Sequence, residues 1–226
     1  MKPDSTKINT RVWSANEREQ SRAEEIANSI CHAMALFAVI LGTPFLIIQA
    51  ASRGDAGYIA GASLFCACAI IMYLSSTVYH ALPSGLAKNV FRLIDHCAIF
   101  LLIAGTYTPF TLGVLRSSVG WILFSAIWGL AAAGVILKMQ GKASHPWLST
   151  GLYLLMGWLI VAAAEPLFAQ VPLEGVLWLL AGGLFYTAGV AFYATDSKLK
   201  YGHSIWHLFV VTGTACHYFA ILWYAA

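Results

Sequence analysis

Asn28-Ser-Ile-Cys-His32-Ala-Met-Ala-Leu-Phe-Ala-Val-Ile-Leu-Gly-Thr-Pro44-Phe-Leu-Ile-Ile-Gln-Ala-Ala51 runs for 24 residues without a charged side chain. A hydrocarbon core about 30 Å thick is crossed by roughly 20 predominantly apolar residues in a helix, so this stretch can span a bilayer. It is too long for the apolar region of a cleaved signal, and Glu24 and Glu25 precede it where such a signal would be basic. Residues 1–23 are polar and charge-mixed, with too little apolar surface to build a core, and are expected to form a flexible cytoplasmic tail.

Six further runs of the same kind follow at short intervals: Tyr58 to His80, Leu93 to Leu115, Val119 to Leu137, Trp147 to Ala164, Gly175 to Ala194 and Ser204 to Ala226. Breakers fill the gaps, as in Ser52-Arg53-Gly54-Asp55, Leu82-Pro83-Ser84-Gly85 and Gln140-Gly141-Lys142. Pro44 and Pro109 fall inside runs, where neighbouring groups can satisfy the freed carbonyls. The expectation is an all-α integral membrane protein, a bundle of seven transmembrane helices over residues 24–226. No length remains for a second domain.

Composition agrees. Of the 226 residues, 59% are hydrophobic and 10% charged, against about 25% charged in a soluble domain. The net charge of +3 comes from loops and the tail, which argues against a nucleic-acid partner. Cys31, Cys66, Cys68, Cys97 and Cys216 all sit in apolar runs without a CxxC pair, and read as small buried hydrophobes. Trp147, Trp178 and Trp223 suit an interfacial belt.

Cytoplasmic loops keep an excess of Lys and Arg. The tail and the second, fourth and sixth loops hold eleven: Lys2, Lys7, Arg11, Arg18, Arg22, Lys88, Arg92, Lys138, Lys142, Lys198 and Lys200. The other side holds Arg53 and Arg116. This alternation puts the N terminus in the cytoplasm and the C terminus outside, in the plasma or inner membrane of the cell.

In that orientation span two ends at His80 at the depth where span seven begins with His203 and His207. Two histidines four apart share a helix face about 6 Å apart along the axis, a spacing that lets both bind one metal ion, and His80 can supply a third ligand. Three neutral imidazoles suit Zn2+ and leave a fourth position for water, as in catalytic sites. Asp95 opens span three at the same level, where a carboxylate can hold and deprotonate water at the ion. Ser76, one turn before His80, is a candidate supporting donor. Glu25, Asn28 and His32 line one stripe of span one at that depth and are expected to face the same cavity. A cluster held by hydrogen bonds alone is the alternative to a metal site.

His217 lies fourteen residues past His203, about 21 Å along the helix, and reads as a polar lining of the cavity. His96 points to another face and reads, with Arg92, as a cytoplasmic-end anchor. His145 reads as an exposed loop residue, and Glu165 and Glu174 as solvated ends.

Five ordered motifs also carry a family resemblance: Glu24-Glu25-Ile-Ala-Asn28 with His32, Ser76-Thr-Val-Tyr-His80, Leu93-Ile-Asp95-His96, Gly105-Thr-Tyr-Thr-Pro109-Phe and His203-Ser-Ile-Trp-His207. The sequence resembles the hemolysin III proteins, which are similar in turn to the progestin and adipoQ receptors and more distantly to alkaline ceramidases. The resemblance covers Glu24 to the last span. It implies seven helices with an internal N terminus and zinc near the cytoplasmic leaflet, bound at the positions of His80, His203 and His207, with Asp95 holding water at the ion. Three functions follow as expectations: a zinc-dependent hydrolase of a membrane-lipid amide or ester with Asp95 and Ser76 as catalytic groups, a lipid-sensing membrane regulator with structural zinc, or the cytolysis that the family name records.

Overall fold

The computed structural model describes residues 20–141 and 146–226. The expected tail up to residue 19 and the loop residues Lys142 and His145 lie outside the described residues. Everything regular among the described residues is helical, and seven helices are long and apolar enough to cross a membrane.

Local chemistry sets the helix ends. α1 (Arg22–Arg53) starts at Ser21, whose side chain accepts from the Glu24 N–H while Glu24 returns a bond to the Ser21 N–H, a reciprocal capping box. It stops at Gly54, which takes the left-handed conformation that glycine tolerates (φ 70°). α2 (Ala56–Ala81) starts one residue later at Asp55, which accepts from the Tyr58 N–H at 2.7 Å and pairs with Arg116. The Tyr58 N–H first, and then the Arg116 guanidinium, hold the Asp55 carboxyl below the usual carboxylate range. α2 ends at Leu82, forced into extended backbone (ψ 141°) by the following Pro83, so His80 stands in its last turn.

α3 (Leu86–Leu112) begins seven residues before the apolar run does, so Lys88 and Arg92 belong to its first two turns and not to a loop. Lys88 Nζ donates to the Tyr79 and Leu82 carbonyls at 3.0 and 3.1 Å, covering the bare end of α2. α4 (Ser118–Met139) carries Lys138 in its last turn. That lysine is buried and donates to Ser149 Oγ at 2.9 Å, a departure from its expected place in a loop.

Span five runs further than its apolar core, to Gln170, as α5 (Pro146–Trp158), a 3₁₀ turn (Leu159–Ala163) and α6 (Ala164–Gln170). The break has a visible cause. The Tyr107 hydroxyl inserts into the helical ladder, donating to the Met156 carbonyl at 2.7 Å and accepting from the Ile160 N–H at 3.0 Å, the two groups that an unbroken helix would join. Glu165 falls inside this longer span, in the first turn of α6, and Glu174 in the first turn of the helix that follows; both side chains are exposed. α7 (Leu173–Thr195) and α8 (Gly202–Tyr224) complete the bundle.

α2 packs against both α1 and α3, α4 against α3, and α7 against α8; α8 returns to pack on α1 and closes the bundle, with span five against α3, α4 and α7. Lipid tails are as apolar as the side chains, so close packing of small residues and interhelical hydrogen bonds hold such a bundle. At Gly61 the backbone of α2 lies so near Pro109 of α3 that a Cβ would collide with main-chain atoms. Tyr58 donates to the Ile221 carbonyl at 2.8 Å, and Tyr73 to Thr214 Oγ1 at 2.7 Å, tying α2 to α8. Cys66, Cys68 and Cys216 are buried as expected, whereas Cys31 and Cys97 are only partly covered; all five are free thiols.

Candidate metal centre

The closing contact of α8 on α1 and α2 assembles three histidines from two helices. His80, His203 and His207 each offer a ring nitrogen, and these atoms lie within 4.8 Å of one another, an arrangement able to hold a metal ion. The ring centroids are 5.2 Å apart for His80 and His203, 5.0 Å for His80 and His207, and 4.7 Å for His203 and His207. Their helical spacing accounts for the last pair.

Two carboxylates fix the outward edges of these rings. His80 Nδ1 donates to Glu25 Oε2 at 2.7 Å, and Glu25 also pairs with Lys88 at 3.0 Å. His203 Nδ1 donates to Asp196 Oδ2 at 3.0 Å. A carboxylate only accepts, so each Nδ1 carries the proton and each Nε2 presents a lone pair. His80 Nε2 and both nitrogens of His207 are buried without a hydrogen-bond partner among the described residues. Buried polar atoms are rarely left so, and a histidine held by a carboxylate on one nitrogen and bare on the other is the usual form of a metal ligand. The donor set therefore fits Zn2+.

Asp196 and Glu24 had no assigned role in the sequence reading. Asp196 follows α7 directly, seven residues before His203, a separation that a tight turn folds into contact. Glu24 is 2% exposed; beyond its capping bond it accepts from the Tyr201 N–H at 2.9 Å. That bond holds Tyr201 at φ 60°, a conformation that non-glycine residues seldom adopt, immediately before α8 and its histidines. The Ser21-x-x-Glu24 pattern was the available signal, and it accounts for only half of what Glu24 does.

The stripe on α1 meets the site as expected. Asn28 is fully buried, accepting from the Ser204 hydroxyl at 2.5 Å and donating to Gln20 at 2.5 Å. His32 stacks on His207 with centroids 3.6 Å apart and planes 11° from parallel, and meets Tyr73 edge-on at 5.1 Å. Ser76 is fully buried one turn from His80, beside the buried Asp95 carboxyl of α3.

Asp95 and His32 also line a cavity of about 110 Å³ between α3, span five, α7 and α8. Its walls are apolar, with Leu102, Ile103 and Val190 among them, and His217 lines it as well. His217 thus shares a cavity with the site while standing apart from the three ligands. His96 lines an adjoining pocket of about 30 Å³ with Lys138 and Ser149.

A family model described as haemolysin-III related matches residues 20–218. The chain is 41% identical over 201 residues to a hemolysin-3 homolog of Bacillus subtilis (strain 168), spanning 89% of this chain and 94% of the relative. It is 40% identical over the same length to hemolysin-3 of Bacillus cereus, with 89% and 91% covered. Identity is 31% over 211 residues to the monocyte to macrophage differentiation factor of Homo sapiens, 88% and 83% covered. Matches along nearly the whole chain, on a bundle of seven membrane-length helices, make this multi-pass membrane protein a member of the hemolysin III family, with more distant relatives of the progestin and adipoQ receptor type.

Proposed function

We propose that the protein is a zinc-dependent hydrolase of a membrane-lipid amide or ester, with His80, His203 and His207 as the metal ligands. The observation that carries this reading is the convergence of three histidine nitrogens within 4.8 Å, with two of the rings oriented by carboxylates. Zinc bound there supplies a Lewis acid that polarises a carbonyl and lowers the pKa of water.

The chain's own groups do the rest. Glu25 and Asp196 hold their imidazoles in the tautomer that faces the centre. Asp95 takes a proton from the attacking water and returns it to the departing amine or alcohol, leaving a fatty acid. Ser76 Oγ, buried beside Asp95 without a hydrogen-bond partner among the described residues, is the hydroxyl placed to orient that carboxyl. His32 braces His207 by stacking, and Asn28 fixes α1 to α8. The apolar cavity that opens from Asp95 takes the acyl chain and excludes bulk water from it.

The positive charges favour a cytoplasmic N terminus and an external C terminus, with a tail ahead of the Ser21 cap and a domain that runs from that cap to residue 226. Removing the buried Lys138 from the count leaves ten cations against two, and the bias survives. The site then opens near the cytoplasmic leaflet of the plasma or inner membrane. The test is hydrolysis of long-chain acyl amides and esters by purified, zinc-loaded protein beside Asp95→Asn. Loss of turnover with zinc retained supports the reading. Full activity in the variant, or no turnover by the wild type, overturns it.

A further inference from the structure

The cavity beyond Asp95 has a second polar point that the hydrolytic reading leaves unused. His217 is 9% exposed and lines the cavity from α8, ten residues or about 15 Å beyond His207. Its Nε2 donates to the Leu179 carbonyl of α7 at 3.2 Å. A carbonyl cannot donate, so in the neutral ring Nδ1 carries only a lone pair. The ring packs on Gly182 of α7, where any side chain would collide with its Nε2, Cδ2 and Cε1 atoms. Nδ1 is buried and finds no hydrogen-bond donor among the described residues. An acceptor left so in an apolar surround is destabilising unless something serves it.

We infer that His217 is a specificity residue for an acyl chain carrying a hydroxyl part-way along its length, the hydroxyl donating to Nδ1. The inference rests on the reading of the cavity as the acyl-chain site. His32, whose ring nitrogens are also buried without a partner, lines the cavity at the metal end against His207, and away from that end the other lining groups explain why one polar contact matters. Leu102, Ile103, Val190 and Val210 give a chain only apolar contact. The hydroxyls of Tyr186 and Thr187 are engaged with Thr214 and with the Gly183 carbonyl. The ligand class is thus a lipid polar at two points, the reacting carbonyl at the metal centre and a hydroxyl about 15 Å away, joined by hydrocarbon.

Ricinoleic and oleic acids form a matched pair of probes, identical except for a mid-chain hydroxyl. Their competition with radiolabelled oleic acid is measured on zinc-loaded, full-length protein in detergent, for wild type, His217→Leu and His217→Asn. The wild type is expected to prefer ricinoleic acid by about fivefold to tenfold, the effect of one added hydrogen bond. His217→Leu brings the ratio to about one, and His217→Asn, whose amide oxygen stands near the Nδ1 position, keeps part of it. A merely structural role for His217 would weaken both acids alike in the variants and leave no preference in the wild type. Equal affinity of the wild type for the two acids overturns the inference while leaving the acyl site intact. Failure of both acids to bind the wild type overturns the acyl-site reading and the inference together.

Discussion

Glu25 and His80 stand 55 positions apart in the chain, on α1 and α2, and their side chains meet at 2.7 Å with the proton on Nδ1. The contact joins a carboxylate partly open to solvent to an imidazole that is almost wholly buried. It turns the bare Nε2 of His80 towards His203 and His207.

Glu25→Gln is expected to weaken zinc binding about 10-fold to 100-fold, the usual loss when the carboxylate behind a histidine ligand is removed. Competition against a chelator of known zinc affinity measures it. Unchanged affinity would mean that Glu25 serves only to pair with Lys88.

Asp95→Asn is expected to lower turnover by about 10²–10⁴-fold, the range for losing a general base. Zinc content should stay at the wild-type level, because Asp95 is not among the three ligands. Loss of zinc together with activity would move Asp95 from proton transfer to holding the metal.

The seven membrane-length helices and the grouping of His80, His203 and His207 were legible because apolar runs and an i, i+4 pair are local patterns. Contacts set by tertiary closure were not. Asp196 meets His203 only once the turn between α7 and α8 folds back, and Glu24 meets Tyr201 only when α8 docks on α1. Lys138 read as a loop charge because its helix outlasts its apolar run by two residues, which brings the ammonium group to Ser149. The long fifth span escaped notice for a similar reason, since the Tyr107 hydroxyl that remodels it comes from another helix.

The start of α2 offers a check on the fold away from the metal. Asp55→Ala is expected to cost about 1 kcal/mol at neutral pH through the lost cap on Tyr58 N–H, while the exposed pair with Arg116 adds little. The folded pKa of Asp55 is depressed, so its contribution is present above the unfolded carboxylate value of about 3.9 and is lost as pH falls through the folded value. Thermal unfolding in detergent should therefore show a gap between wild type and variant that narrows on acidification. A gap that widened would contradict the assignment.

Reporter fusions after residues 54, 84, 116, 141, 171 and 200 test the topology. Alternating sides, with residues 84, 141 and 200 in the cytoplasm, are the expected outcome. An odd number of crossings between residues 84 and 200 would put His80 and His203 on opposite faces and exclude a shared metal.

Zinc content is the most direct measurement of all, made by elemental analysis of purified wild type beside His203→Ala and His207→Ala. About one zinc per chain in the wild type, with loss in both variants while the helical signal persists, is the predicted result. Substoichiometric zinc in a folded wild type, or full zinc in either variant, would contradict a centre built on His80, His203 and His207.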